Sequence, residues 1–236
     1  MGIAMKTRTA SLAAIALTAI ALGAVSKPAR ADLIVNGGFE FPSIGNVFYQ
    51  NYGSFTNNPY AGPSFQGWDV TFNNVDIVNP MAGPWNAPAF EGVQILDLVG
   101  YGSTGAIEQS FTTTPGQSYL LTFAYGNNPG SGAAAASVTV FGSSSLLSAL
   151  VFHDTSGNGN LNWNLYSASF VANSETTTLG FNTTLGGNNG GILLDAVAVS
   201  AVPEPATWAM MIFGFAGIAL MAYRRSRKSA VATTSL

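Results

Sequence analysis

The chain has 236 residues, no cysteine and a formal net charge of −3 at pH 7. All eight lysines and arginines lie in the two terminal segments, whereas ten of the eleven carboxylates lie between residues 32 and 202. The middle of the chain therefore repels nucleic acid and anionic polymers, favours neutral ligands or ligands bridged by divalent cations, and can form neither disulfides nor thiolate metal sites.

The first 31 residues have the pattern of a secretory signal peptide. Lys6 and Arg8 form a short basic start, the apolar run 10–25 follows, and Ala29-Arg30-Ala31 places small residues where a signal peptidase reads them. The apolar run is too short for a spanning helix and is followed by this cleavage motif. We predict a signal helix within 1–31 that signal peptidase removes after Ala31.

Residues 32–201 have the size of one domain, and their apolar residues recur with the spacing of strands. Short runs rich in Val, Ile, Thr, Phe and Tyr are separated by clusters of Gly, Asn, Pro and Ser. Such a series of short strands with turns between them indicates an all-β fold, an antiparallel sandwich or a barrel. The alanine-rich segment 133–136 is flanked by glycine, which predicts a loop. The predicted strands are 33–35, 68–72, 75–78, 94–99, 106–111, 119–125, 137–141, 149–152, 163–171, 176–182 and 192–200.

A second apolar segment, Ala206 to Tyr223, carries no charge and is followed at once by a basic cluster that includes Arg224 and Arg225. As a helix it extends about 27 Å, which suffices for a thin bilayer. The basic cluster is expected to stay in the cytoplasm, which places the preceding domain outside, as the signal peptide also requires. The pattern predicts a transmembrane helix over 206–223.

The tail 202–236 resembles a known sorting signal. Pro203, Glu204 and Pro205 come first, the apolar run second and the arginines third, as in the PEP-CTERM motif. The resemblance implies processing by an exosortase that cuts near Pro-Glu-Pro, in a bacterium that makes an extracellular polysaccharide matrix. It implies an exported protein that is anchored in the inner membrane in transit and then reaches the cell surface or the matrix.

The domain also resembles a family. The segments 33–40, 67–70, 75–78, 96–98, 107–111, 114–119 and 193–199 are similar, in this order, to the "choice-of-anchor C" domains and their galactose-binding-like jelly-roll relatives, although the cysteines usual in the plant members are missing. The resemblance implies an antiparallel β-sandwich (jelly roll) closed by pairing of its terminal strands. It also implies a structural Ca²⁺ between the first and last strands, where Glu40 and Asp195 are the matching residues. The alternative is that Asp195 caps a turn or accepts a backbone N–H bond.

Catalytic signatures are sparse. His153 is the only histidine, and no Gly-x-Ser-x-Gly elbow accompanies it, so a turn residue is the simpler interpretation. Paired carboxylates for glycoside hydrolysis remain an open alternative, because the sequence does not reveal which of them approach one another.

Sugar recognition requires exposed rings beside amides and carboxylates, because the apolar face of a pyranose stacks on a ring while its hydroxyls seek polar partners. Trp85, Tyr49, Tyr52 and Tyr60 lie in Asn- and Gly-rich stretches and are the candidate ligand-binding residues, although the Trp85 ring could equally fold back over the sandwich rim. We predict a non-enzymatic, carbohydrate-binding-like surface or matrix protein whose ligand is neutral extracellular polysaccharide. A structural or adhesive protein that binds other proteins and a polysaccharide-cleaving enzyme remain as alternatives.

Overall fold

The structure is a computed structural model that describes residues 32–53, 64–187, 189–203 and 205–231. The predicted signal helix, Tyr60 and Glu204 lie outside the described residues. Fourteen strands and one helix make up the described part. They are β1 Tyr49–Gly53, β2 Ser64–Phe65, β3 Trp68–Phe72, β4 Asn74–Val78, β5 Ile95–Asp97, β6 Val99–Gly100, β7 Ser103–Thr104, β8 Ala106–Thr112, β9 Ser118–Asn127, β10 Ala134–Phe141, β11 Ser145–His153, β12 Asn164–Val171, β13 Thr176–Leu185, β14 Ile192–Ala201 and α1 Pro205–Val231.

The strands form two six-stranded sheets. Sheet A has the order β1-β4-β5-β14-β9-β12, sheet B has the order β11-β10-β13-β8-β3-β2, and β6 and β7 form a small separate hairpin. Neighbouring strands pair antiparallel throughout both sheets. The all-β antiparallel sandwich is therefore confirmed.

Side chains on the facing sides of the two sheets form the main core. Because successive side chains of a strand point to opposite faces, Val75 and Ile77 of β4 enter this core, whereas Asp76 and Val78 lie on the outer face of sheet A. A second apolar cluster covers that outer face, and it includes Trp85 from the segment between β4 and β5. Sheet A is thus packed on both faces, which explains why every residue of β4 is buried.

The opening of the domain differs from its prediction. Residues 33–35 form no strand, because the chain turns at Asn36, which has a positive φ of 57°. The Gln109 side chain takes the place of a strand partner: the Val35 N–H donates to its Oε1 at 2.6 Å, and its Nε2 donates to the Val35 carbonyl at 3.0 Å. Closure onto β14 nevertheless occurs through backbone bonds, from Leu33 N–H to the Val199 carbonyl at 2.8 Å and from Val197 N–H to the Gly37 carbonyl at 2.9 Å.

Three further predictions are corrected. The alanine-rich segment 133–136 is no loop, because Ala134 and Ala136 are small enough to pack in the main core as the start of β10. Strand β1 went unpredicted, since asparagine and glycine interrupt its short run. The predicted strand 94–99 divides into β5 and β6, because the Asp97 Oδ1 accepts a bond from the Val99 N–H at 2.9 Å and bends the chain.

The sandwich and the sorting tail join almost without a linker. The Val202 N–H donates to the Ser118 carbonyl at 2.8 Å, and the Gln117 Nε2 donates to the Val202 carbonyl at 2.6 Å. Helix α1 begins at Pro205 and covers the predicted apolar segment 206–223. Among the described residues, no helix combines the length and the apolarity that a membrane crossing requires.

Candidate functional site

A cavity of about 250 Å³ opens on the outer face of sheet A. Its polar floor consists of Asp76 on β4 and Asp97 on β5, joined by Asn128, which follows β9. All three side chains are buried. The remaining lining residues are Phe48, Tyr49, Val78, Trp85, Tyr101 and Asn189.

The two aspartates of the floor stand directly opposite each other on adjacent antiparallel strands. Side chains in such a position have Cβ atoms about 5 Å apart, so the two carboxyl groups are neighbours. The Asp76 Oδ1 accepts a bond from Asn51 Nδ2 at 2.8 Å, and the Asp97 Oδ2 accepts one from Asn128 Nδ2 at 2.8 Å. The Asp97 Oδ1 also accepts backbone N–H bonds, including one from Gly191 at 3.0 Å.

Burial determines the protonation of this pair. It raises the pKa of Asp97 to about 8, because the N–H bonds from Val99, Asn128 and Gly191 do not offset the loss of water and the charge of Asp76 adds to the rise. Burial likewise raises the pKa of Asp76 to about 6, against the opposing effect of the Asn51 hydrogen bond. At neutral pH the floor of the cavity therefore carries a negative charge, mostly on Asp76.

Aromatic rings form the walls. The Phe48 ring meets the Trp85 ring edge-on, with centroids 5.1 Å apart and an interplanar angle of 90°, and it meets the Tyr49 ring at 5.8 Å and 83°. Trp85 is only 6% exposed and belongs to the second apolar cluster, whereas Tyr49 is 47% exposed and Tyr101 is 54% exposed. The deep rings are thus fixed by packing, and two tyrosines remain open to solvent at the rim.

Loops complete the rim. Tyr101 lies at the tip of the β6–β7 hairpin, where Gly102 has a positive φ of 72° and donates its N–H to the Asn189 Oδ1 at 2.5 Å. Asn128 donates to the Asn189 carbonyl at 3.0 Å, which ties this loop to the floor. The positions of Tyr101 and Asn189 are therefore linked to each other and to the aspartate pair.

The four predicted ligand-binding residues have separate locations. Tyr49 and Trp85 line the same cavity. Tyr52 is three residues after Tyr49 on β1 and therefore points to the other face, where it is 4% exposed and its ring lies 5.4 Å from that of Phe65 in the main core. Tyr60 lies outside the described residues.

The carboxylates predicted to hold calcium both bind the segment 90–94. The Asp195 Oδ2 accepts the N–H groups of Phe90 and Glu91 at 2.9 and 3.0 Å, and the Glu40 Oε1 accepts those of Val93 and Gln94 at 2.6 and 2.9 Å. Such donors stabilise carboxylates as a cation would, so the alternative of backbone hydrogen bonding describes the Asp195 contacts. Within the described residues no group of three or more His, Cys, Asp and Glu side chains could hold a metal ion. The calcium site therefore stays untested, and these N–H contacts favour its alternative, backbone hydrogen bonding.

His153 ends β11 and is buried, so its prediction as a surface turn residue is wrong. Its Nδ1 lies 2.6 Å from the Asn127 Oδ1, and its Nε2 lies 2.8 Å from the Asn162 carbonyl oxygen. The ring connects the end of β9 to the loop before β12, and it is not among the residues that line the cavity.

The outer face of sheet B is the other surface of interest. A more open depression of about 300 Å³ there is lined by Thr71, Phe72, Ala106, Glu108 and Asn182. Around it the strands expose polar side chains such as Thr139, Ser110 and Thr112. Strands of the same sheet also expose large apolar side chains, among them Phe72, Phe141 and Phe152.

The residues that sequence reasoning missed are Asp76, Asp97, Phe48, Tyr101 and the two asparagines. Asp76 and Asp97 did carry a signal, because each interrupts an apolar strand, in Val-Asp-Ile-Val and in Leu-Asp-Leu. A charged side chain inside such a run requires a partner or a function. Tyr101 and Phe48 carried none, since both lie in loops whose path the sequence does not define.

Fold and cavity together define a β-sandwich domain with an aromatic-walled cavity on one sheet. The chain belongs to the family described as "Protein of unknown function (DUF642)", whose model matches residues 32–200. The PEP-CTERM protein-sorting motif matches residues 201–228, which confirms that prediction and marks the protein for export and cell-surface sorting. No curated protein matches the sequence.

Solved structures with a similar fold include carbohydrate-binding modules. The chain is similar to TmCBM61 in complex with beta-1,4-galactotriose, at 14% identity and a TM-score of 0.42 over 73% of this chain and 99% of that one. It is similar to the CBM22-1 xylan-binding domain from Paenibacillus barcinonensis, at 16% identity and a TM-score of 0.42 over 60% and 89%. It is similar to CBM4, at 12% identity and a TM-score of 0.39 over 72% and 99%. At these scores the similarity carries no argument about function, which has to rest on the site.

Proposed function

We propose that the domain is a non-catalytic carbohydrate-binding module of an exported surface protein, and that the cavity on sheet A is its binding site. The observation that carries the proposal is the combination of Tyr49, Trp85 and Tyr101 with Asp76 and Asp97 in one cavity. Small-ligand sites are concave, largely apolar and supplied with a few polar groups that fix orientation. Sugar rings need this combination, since one face of a pyranose is apolar and its hydroxyls are hydrogen-bond donors.

The size of the cavity favours a short ligand. Its volume of about 250 Å³ lies below the roughly 300–1,000 Å³ typical of sites for drug-sized molecules. One or two sugar units therefore fill it, and a longer chain continues past Tyr49 or Tyr101 into solvent. Tyr52 is left out of the proposed site, because its buried ring offers no face to a ligand.

A glycan-array screen of the purified protein tests the proposal. We expect reproducible binding to a class of oligosaccharides and a loss of about five- to tenfold in affinity in Tyr101→Ala, because one exposed stacking ring contributes about 1–1.5 kcal/mol. Phe141→Ala is the matched control, since this ring is 54% exposed like that of Tyr101 but lies on strand β10 of sheet B. A folded protein that binds no glycan, or that loses binding equally in both variants, would contradict the proposal.

One observation favours a second candidate, glycoside hydrolysis. Asp76 and Asp97 form a carboxyl pair whose pKa values differ, and this is the property that separates a general acid from its partner. Against it, the Asp97 oxygens accept bonds from Val99, Gly191 and Asn128, so they are held inside the fold. Release of reducing ends from the oligosaccharides that bind, abolished in Asp97→Asn, would establish hydrolysis; we expect none.

A further inference from the structure

The floor of the cavity has more hydrogen-bond acceptors than donors. Asn51, Asp76 and Asp97 stand in one row across the adjacent strands β1, β4 and β5. Asn51 is 5% exposed, and its Nδ2 donates to the Asp76 Oδ1 and, at 3.0 Å, to the Asn74 Oδ1. The Asn51 Oδ1 is a buried oxygen with no hydrogen-bond partner. Asn51 itself is not among the residues that line the cavity, so the acceptors of this row that face the cavity belong to Asp76 and Asp97. A ligand that brings donors rather than acceptors suits these two carboxyl groups.

The charge of the cavity is also uncompensated. Residues 32–201 contain no lysine and no arginine, so no such side chain of the domain can neutralise Asp76 or Asp97. Two buried carboxyl groups side by side are stable only if they share protons or receive a cation. The pKa of about 6 for Asp76 leaves that group ionised at neutral pH. The position next to the pair is thus favourable for a positive charge.

The walls favour the same kind of ligand. Phe48, Tyr49, Trp85 and Tyr101 line the cavity, and the faces of such rings attract ammonium groups by cation–π interaction, as in the aromatic cages that bind methylated amines. Rings and carboxylates together bind a cation better than either does alone, since the rings exclude water around the charge pair.

We propose that the cavity selects a sugar unit that carries a protonated amine, a glucosamine-type unit of a deacetylated amino-sugar polymer. This inference rests on the proposed carbohydrate-binding function and replaces the neutral polysaccharide expected from the sequence. An ammonium group supplies three donors, a positive charge and no acceptor, which complements the Asp76–Asp97 floor. An N-acetyl group at the same position brings an acceptor and no charge. The domain's excess of carboxylates adds a long-range attraction for a cationic polymer.

The experiment compares matched ligands by isothermal titration calorimetry with the full chain: glucosamine oligomers, N-acetylglucosamine oligomers and glucose oligomers of equal length. We expect the glucosamine oligomer to bind about tenfold tighter than the acetylated one, the factor that one charge-assisted hydrogen bond supplies. Asp76→Asn is the principal variant, because its amide oxygen can still accept from Asn51. It should bring the affinities for the glucosamine and N-acetylglucosamine oligomers to within about twofold of each other.

Two controls keep the result decisive. Asp154→Asn removes the same charge at an exposed position outside the cavity and should preserve the preference. Tyr101→Ala, at the exposed rim, should weaken the glucosamine oligomer without unfolding the protein. Equal loss in Asp76→Asn and Asp154→Asn would overturn the inference, because attraction by net charge alone would then explain it.

The possible outcomes test the amine preference and the proposed carbohydrate-binding function separately. Equal or tighter binding of the acetylated or glucose oligomers refutes the amine preference and leaves the carbohydrate-binding function standing. Binding of none of the three refutes both. A lysine-containing peptide that binds as tightly as the glucosamine oligomer refutes the sugar assignment, and it would redirect the site to protein amines.

Discussion

The buried carboxyl groups give this domain an unusual dependence of stability on pH. Burial raises the pKa of Asp97 from 3.8 to about 8 and that of Asp195 from 3.8 to about 7, the latter against the N–H bonds from Glu91, Ala196 and Phe90. In the unfolded chain these groups lose their protons near the ordinary pKa of an aspartate. Above about pH 4 the folded state therefore holds protons that the unfolded chain has released.

The sign of the effect follows directly. A raised pKa in the folded state contributes stability that is fully present below the pKa of the unfolded chain. This stability is lost as pH rises through the pKa of the folded state. We therefore expect the free energy of unfolding to fall between about pH 5 and pH 7, by about 1.4 kcal/mol per pH unit for each retained proton. Asp97 retains its proton through this whole interval, Asp195 through most of it and Asp76 through its lower half.

Urea denaturation at pH 5, 6 and 7, followed by tryptophan fluorescence, measures this slope. Asp97→Asn removes one titrating group, so the slope should decrease by about 1.4 kcal/mol per pH unit. The exposed Asp154→Asn variant should keep the slope of the original protein. A stability that is constant or rises over this interval, or a slope that Asp97→Asn leaves unchanged, would refute the assignment of a buried, protonated Asp97.

Three further outcomes are expected. Gly37→Ala should lower the free energy of unfolding by at least about 2 kcal/mol, because an added Cβ would lie 1.8 Å from the carbonyl oxygen of residue 197. In the control Gly187→Ala the added Cβ meets no atom within 4 Å, so the free energy of unfolding should change little. Equal effects of the two substitutions in denaturation would contradict this contact. His153→Ala should lower the free energy of unfolding by about 2–4 kcal/mol, since it removes the two hydrogen bonds of the buried ring and leaves a void. An unchanged thermal unfolding of this variant would be inconsistent with that burial. Addition of Ca²⁺ or of a chelator should leave the unfolding midpoint unchanged, because backbone N–H groups already satisfy Glu40 and Asp195; a clear shift in calorimetry would instead support the calcium site.

The fold was readable from the sequence because strand periodicity and turn residues agree over most of the domain. Two of the failures, at residues 33–35 and 94–99, share a cause, namely that a side chain replaces a backbone partner. Gln109 satisfies Val35, and Asp97 satisfies Val99. A sequence pattern registers which residues are apolar, and it does not register which backbone groups a distant amide or carboxylate will bind.

The site was readable only in part, and for a geometric reason. Tyr49 and Tyr52 occupy equivalent-looking Asn- and Gly-rich surroundings, yet an odd spacing on a strand sends one ring to the cavity and the other to the core. To distinguish the two tyrosines, one has to know that they lie on one strand, β1, and that this strand pairs with β4. The aspartate pair likewise depends on a cross-strand register between Asp76 and Asp97, which separate positions in sequence do not reveal.

The close junction between sandwich and tail has a consequence for maturation. The last backbone group fixed to the domain belongs to Val202, and the two residues before Pro205 reach about 7 Å when fully extended. An enzyme that cuts near Pro-Glu-Pro must therefore approach the surface of the folded domain closely, beside Gln117 and Ser118. A product cut there would keep only a few residues beyond Ala201, where β14 ends, so little unpaired chain would remain for another protease to bind.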